Sequence, residues 1–368
     1  MAVYIILLLL VFLCGYILYR YPNGRNAKKI YLIVTFSSMA IILGLRGEKV
    51  GEDTEHYLTM FKGAAQVKWI TMLRSKGFRT TWYVDPYGFH DTVENGWLTL
   101  CKIVHIFTDN GQVFLFIVAL LTCGLFAKFI YDNSESILYS TLIYLCESMY
   151  MFSFNEARQM LAVSVTLQVY TALKHRKVKT AVLLVLLASL IHNTALVTFI
   201  MFPIVLTKQR KSYKKFKYAV VIAIAAPFLV MSLRGIISKL VPRYASYFGT
   251  NYWKNSIGGS AVLWILEILL IAVMYLKEFE YPQSYQYACF VLLYLSCALM
   301  GLQVTMFARI GYYFRAFLPL FFPSAVNFFK KKDRLMVNFI VIAFIILLYF
   351  SYAHSDTRMY SFFWNNGR

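Results

Sequence analysis

The stretch "TAVLLVLLASLIHNTALVTFIMFPIVLT" (180–207) decides how this chain is threaded. Basic clusters flank it, "KHRKVK" (174–179) before and "KQRKSYKKFK" (208–217) after. Cytoplasmic loops of membrane proteins collect Lys and Arg, so the two clusters belong on one side, with an even number of crossings between them. One long helix would put the six Lys/Arg of the second cluster on the wrong side. Two short arms, 179–191 and 194–206, restore parity and set His192 and Asn193 at an apex. Such arms reach only ~20 Å against a ~30 Å hydrocarbon core, so the apex is expected to be sunk inside the protein.

The rest of the chain extends this pattern. It has 368 residues, 60% hydrophobic and 15% charged, and several apolar runs exceed the ~18 residues that a spanning helix needs. That composition predicts an all-α, polytopic membrane protein. The opening run "MAVYIILLLLVFLCGYILY" has no basic n-region and no small-residue cleavage site, so it reads as a retained helix. The formal charge of +20 is split among short clusters, including 20–29 and 330–334, which argues for topology and against a nucleic-acid partner. Six cysteines lie mostly in apolar runs without a CxxC pair, as small buried hydrophobes would.

Spans are expected near 2–19, 30–45, 111–130, 136–152, 158–173, 218–233, 261–276, 286–302, 304–323 and 335–352. With the His192 hairpin they give roughly twelve crossings in a single transmembrane domain, 1–368, with both termini outside. Two outer loops remain. The first, 46–110, carries a short interfacial or re-entrant helix at 96–107; the second is 234–260.

Charged side chains in a membrane segment are expensive and mark function by default. Arg158 and Gln159 open one span, Arg309 and Arg315 lie in "FARIGYYFRAFLP", and His192 marks the hairpin apex. Arg46, Asp53 and Tyr57 belong to "LRGEKVGEDTEHYLTMF" (45–61), which this topology puts on the same side. Arginine's planar fork suits a phosphate or diphosphate, and a histidine or neighbouring aspartate suits a base toward a hydroxyl. Plain alternatives stand beside each. Arg46 at a span end could snorkel, and Arg309 and Tyr313, four apart, could be a cation–π pair. Glu147 and Glu267 could serve only to neutralise Arg315. "DTE" (53–55) has the two-acid spacing of a metal–diphosphate site, but it is three residues of an acidic run. No Walker, GxGxxG or HExxH motif occurs.

These residues resemble the EpsG-type branch of the Wzy-like polysaccharide polymerases. The loop element 45–61 is similar to the family's Arg–x–x–x–Val–Gly–x–Asp–Thr–x–x–Tyr element. "EARQMLAVSV" resembles its Arg-Gln-x-x-Ala helix, "LASLIHNTALV" its Leu-Ala-x-x-x-His segment, and "ARIGYYFRAFLP" its Arg-Ile-x-x-Tyr-Phe helix. The four occur in order over most of the chain. The stretch 62–96 matches no element, and Glu52 stands where a small residue is expected.

The resemblance implies a glycosyltransferase of the bacterial cytoplasmic (inner) membrane that builds O-antigen, capsule or exopolysaccharide. It would move a growing glycan from undecaprenyl diphosphate onto a hydroxyl of an incoming lipid-linked repeat unit at the outer face. The implied roles are His192 and Asp53 as catalytic bases, and Arg158, Arg309, Arg315 and Arg46 as diphosphate ligands. Gln159, Tyr57 and Tyr313 would position substrate. No metal or cofactor is expected; the bilayer, a chain-length regulator and a flippase of the same pathway are the implied partners. Three rivals remain: a polyprenyl-phosphate-dependent transferase adding one sugar, a lipid-linked oligosaccharide flippase, and a structural subunit whose outer-half arginines could be replaced singly without loss of polymer.

Overall fold

The computed structural model describes residues 2–21, 26–84, 90–207, 212–233, 235–236, 239, 258–281, 283–302, 304–354 and 359–365. In chain order the helices are α1 (Ala2–Arg20), α2 (Ala27–Gly44), α3 (Thr54–Ala64) and α4 (Trp69–Arg74). An antiparallel hairpin follows, β1 (Arg79–Val84) with β2 (His90–Glu94), then α5 (Asn95–His105) and α6 (Gly111–Asn133). Next come α7 (Ile137–Cys146), α8 (Met149–Asn155), α9 (Ala157–Lys174), α10 (Val178–Ile191), a 3₁₀ segment (Asn193–Ile200) and α11 (Met201–Leu206). The chain continues through α12 (Ser212–Ser232), α13 (Gly258–Leu276), α14 (Ser284–Gly301), α15 (Thr305–Arg315), α16 (Leu318–Val326) and α17 (Lys331–Ala353).

This is an all-α polytopic membrane protein. Among the described residues, α1, α2, α6, α14 and α17 are long and apolar enough to cross a bilayer, and the bent pair α7–α8 makes a sixth. Shorter apolar helices cover 178–191, 193–206, 216–230 and 261–276. Length and composition therefore support fewer crossings than the twelve expected, for physical reasons. The span at 136–152 bends by 41° where Ser148 takes a left-handed φ of 65°, which an L-residue adopts only at a break. The span at 304–323 is two helices, because Pro319 belongs to the first turn of a new one. α9 carries Gln159, Ser164, Thr166 and Gln168 among its buried residues and is polar for a span. Most of its polar donors bond within the protein; Gln168 Nε2 donates to the Leu125 carbonyl at 3.0 Å, and the hydroxyls of Ser164 and Thr166 donate to carbonyls one turn back. The outer loop expected at 234–260 falls almost wholly outside the described residues.

The chain divides into two compact units. The first comprises Met1–Asn133, Leu145–Phe199 and Ile345–Arg368; the second comprises Ser134–Tyr144 and Ile200–Phe344. In the second, α14 is the central helix, with α11, α12, α13, α15 and α16 packed on it or on one another. α14 and α15 approach closely at Gly301, where a methyl group would lie 2.8 Å from Ala308 Cβ.

The first unit has two chemically different ends. At one, the start of α6 meets the end of α2, where Gln112 Nε2 donates to the Gly44 carbonyl. At the other, Asn133 at the end of α6 donates to Thr171 Oγ1 at 2.8 Å, and Lys174 reaches Asn133 Oδ1 at 3.4 Å. The start of α2 lies at that second end too, with Lys29 over the Tyr131 ring. The described part of the basic cluster 20–29 and the cluster 174–179 thus share one end of this unit. The loops that follow α2 and precede α9 share the opposite end.

The described residues of 46–110 form a folded layer. Loop 46–53 turns at Gly51, whose φ of 87° suits glycine and whose added methyl would meet the Phe154 carbonyl oxygen at 2.2 Å. Lys102 donates to the Val67 carbonyl at 2.7 Å and His105 bonds to the Phe61 carbonyl oxygen at 2.7 Å, tying α5 to α3 and the segment after it. Trp97, fully buried, packs between Tyr57 and Phe114. The C-terminal segment closes over the same corner: Gly47 N–H donates to the Ser361 carbonyl, and Phe363 N–H to that of Leu45.

Candidate functional site

Glu94 ends β2 and directly precedes α5, and it is only 3% exposed. A carboxylate in such a position costs several kcal/mol unless paired. Arg79, its cross-strand partner, reaches Oε1 at 2.5 Å, and Arg158 reaches Oε2 at 2.8 Å. The backbone N–H of Asn193, at the apex between α10 and the 3₁₀ segment, donates to Oε1 at 3.3 Å. One carboxylate therefore ties together the hairpin, the start of α9 and the His192 turn. Burial alone would raise its pKa, but Arg158, Arg79 and then His192 outweigh that and hold it below the usual carboxylate value.

Each neighbour is fixed by local structure. Arg158 lies in the first turn of α9, where the helix dipole disfavours a cation, so Glu94 supplies the compensation that the helix end does not. Its Nε is buried without a hydrogen-bond partner. Arg79 is held by further bonds to the carbonyl and hydroxyl of Thr92. Asn95 donates to the Met72 carbonyl and Ser75 Oγ and accepts from Thr80, each at 2.8 Å, which locks the base of the hairpin. Gly96 lets α5 meet α10, since a methyl there would lie 2.5 Å from the Leu190 carbonyl oxygen.

His192 leaves the helix in an extended conformation, φ −152° and ψ 115°, and its Nδ1 lies 2.7 Å from Thr194 Oγ1. Tyr57 is buried beside the backbone N–H of Arg158. Burial raises its pKa and the Asp53 charge raises it further, while Arg158 opposes both. Asp53 is half-buried one turn before Tyr57, whose N–H donates to its carbonyl at 2.9 Å. Arg158 and His192 thus gather at Glu94, and Arg158 also adjoins Tyr57, with Asp53 one turn before it. Arg79 and Arg158 are set against Glu94, Asp53 and Glu156, so the neighbourhood holds both signs of charge, with arginine forks that could meet an anionic group beside a histidine.

The sequence matches the description of the EpsG family over residues 29–365. The chain belongs to the EpsG family. That family is of the Wzy-like polymerase type. No curated protein and no solved structure matches the chain.

Other residues singled out from the sequence of this EpsG-family chain have their own surroundings. Arg46 is 1% exposed; Nη1 donates to the Leu43 carbonyl at 2.6 Å and Nε to Thr54 Oγ1 at 3.0 Å, with the guanidinium beside the Phe154 ring. Burial lowers its pKa to about 10. That placement makes Arg46 part of the frame under the loop. Gln159 is buried in the first turns of α9. Arg309, Tyr313 and Arg315 belong to the second unit. Arg309 is exposed and Tyr313 fully buried, and Arg315, 7% exposed, ends α15 over the Tyr294 ring at 5.3 Å. The Tyr294 hydroxyl accepts from Trp264 Nε1 at 3.0 Å. Sequence reading missed Glu94 and Arg79. The available signal was the β-branched and aromatic run "RTTWYV", the turn residues "DPYG" and the following "HDTVE", which together spell a hairpin.

Proposed function

We propose that this EpsG-family chain is a polysaccharide polymerase acting on undecaprenyl-diphosphate-linked repeat units at the outer face of the bacterial cytoplasmic membrane. In the reaction, the bond from the anomeric carbon of the growing glycan to the diphosphate oxygen breaks. A bond from that carbon to an acceptor hydroxyl oxygen forms, the hydroxyl proton passes to a base, and undecaprenyl diphosphate leaves as the anion. The leaving group is already activated, so the protein's share is to neutralise developing charge and to take one proton.

The observation that carries this reading is the Glu94 junction, where Arg79 and Arg158 face one carboxylate beside His192. Arg158 is the proposed diphosphate ligand, with His192 as first base and Asp53 as second. Tyr57 and Gln159 position the substrate. In the second unit Arg309 and Arg315, with Tyr313, are proposed as anion-contacting residues in their own right. The outward orientation draws support from the basic clusters at the opposite end of the first unit. A count of about twelve crossings belongs to the same proposal.

The test is complementation of a deletion strain by His192→Ala and Asp53→Asn variants expressed at normal level. The expected result is single repeat units on the lipid anchor without a ladder. Long polymer from both variants would overturn the assigned roles. A product lengthened by one sugar only would point to a single-sugar transferase, and undiminished chain length with fewer exported units to a flippase.

A further inference from the structure

A groove of about 460 Å³ runs between α2 and α6 in the first unit. Leu32, Ile33, Phe36 and Leu120 line it, and Ser37, Ala40, Gly124 and Ala127 keep it open. Gly124 is exposed, and a methyl group there would meet nothing within 4 Å. The groove ends in polar groups: Lys29 over the Tyr131 ring at 5.8 Å, and Lys128 paired with Asp132 at 2.5 Å. The pair cancels, so Lys29 leaves the rim positive. Basic pockets between membrane helices are the usual seat of anionic lipid headgroups.

We propose that this groove binds one anionic phospholipid, an acyl chain lying along Ile33, Phe36 and Gly124 with the headgroup phosphate on Lys29. Two helices and one cation define the site, and the choice of occupant rests on the side given above to the diphosphate ligands. It is separate from the Glu94 junction. Lys29 opens α2, whereas the loop leading to Asp53 leaves the other end of that helix, fifteen residues and ~22 Å away. The charged rim therefore faces the opposite membrane surface from the proposed diphosphate ligands, which assigns the groove to a bilayer phospholipid and not to the polyprenyl substrate.

The experiment uses the full chain in nanodiscs of phosphatidylcholine, with or without phosphatidylglycerol, and native mass spectrometry to read the lipid retained. Wild type is expected to keep one phosphatidylglycerol about fivefold more tightly than phosphatidylcholine. Lys29→Gln should abolish that preference while leaving chain retention. Gly124→Leu, placed where space is open, should displace both lipids, with its elution profile reporting that it still folds. Equal retention of the two lipids by wild type, or unchanged preference in Lys29→Gln, would overturn the proposal. So would displacement of phosphatidylglycerol by added polyprenyl phosphate.

Discussion

The two ends of the first unit use positive charge in opposite ways. At one end Arg46, Arg79 and Arg158 are drawn into the protein and answered by Glu94 or by backbone carbonyls. At the other, Lys28, Lys29, Lys177 and Lys179 stand exposed. An exposed lysine costs nothing to hydrate and serves as a topological marker. A buried arginine must be matched group by group, so each one records a geometric requirement. The difference teaches where substitutions should matter, and the predictions follow it from the most sensitive position to the least.

Arg158→Ala should have the largest effect. It removes the proposed ligand for the departing diphosphate and uncovers one oxygen of Glu94. Loss of one charge-stabilising donor costs about 100-fold or more in rate. Ladder formation by isolated membranes supplied with the strain's own lipid-linked units measures it. Arg158→Lys restoring the full rate would remove the case for a forked contact.

Glu94→Gln should cost about 3 kcal/mol of stability, because Arg79 and Arg158 are left partly buried without a counter-charge. The pH sign is definite. A carboxyl held below its unfolded value stabilises the fold above the ordinary glutamate range and loses that contribution as pH falls through the folded value. The melting-temperature gap between wild type and Glu94→Gln should therefore be widest at neutral pH and close in acid. A gap that widened on acidification would contradict the pairing.

How much of this was readable in the sequence depends on range. The membrane class, the positions of most helices and the His192 turn follow from hydropathy and charge parity, which are local or nearly so. The breaks at Ser148 and before Pro319 were legible only in part. Proline announces itself, whereas a left-handed serine is imposed by its surroundings. Asp53, Tyr57, Arg158 and His192 were selected as chemically unusual, and the fold gathers them. Glu94 escaped because a glutamate in a polar loop looks solvated; its burial depends on Arg158, 64 positions on, and on the apex at Asn193. Arg46 was readable as unusual, yet nothing in its neighbours announced that the Leu43 carbonyl and Thr54 would take up its donors.

Two glycines sharpen the contrast between the ends with smaller effects. Gly96 touches the Leu190 carbonyl, so Gly96→Ala must push α5 off α10 and disturb the His192 turn, at a cost of about 2 kcal/mol. Polymer length should shorten along with the loss in melting temperature. Gly124, further along toward the lysine end, faces open space, and alanine there is a better helix former by about 1 kcal/mol.

Gly124→Ala should accordingly raise the melting temperature slightly with polymer length unchanged, since the substitution adds one methyl to a wide groove. Lys177→Gln, on the exposed turn between α9 and α10, should stay within about 0.5 kcal/mol of wild type. If Lys177→Gln destabilised the protein as much as Glu94→Gln, the exposed end would carry energetic weight of its own. The distinction between marking charge and structural charge would then fail at its simplest position, a solvated lysine that the fold has no reason to hold.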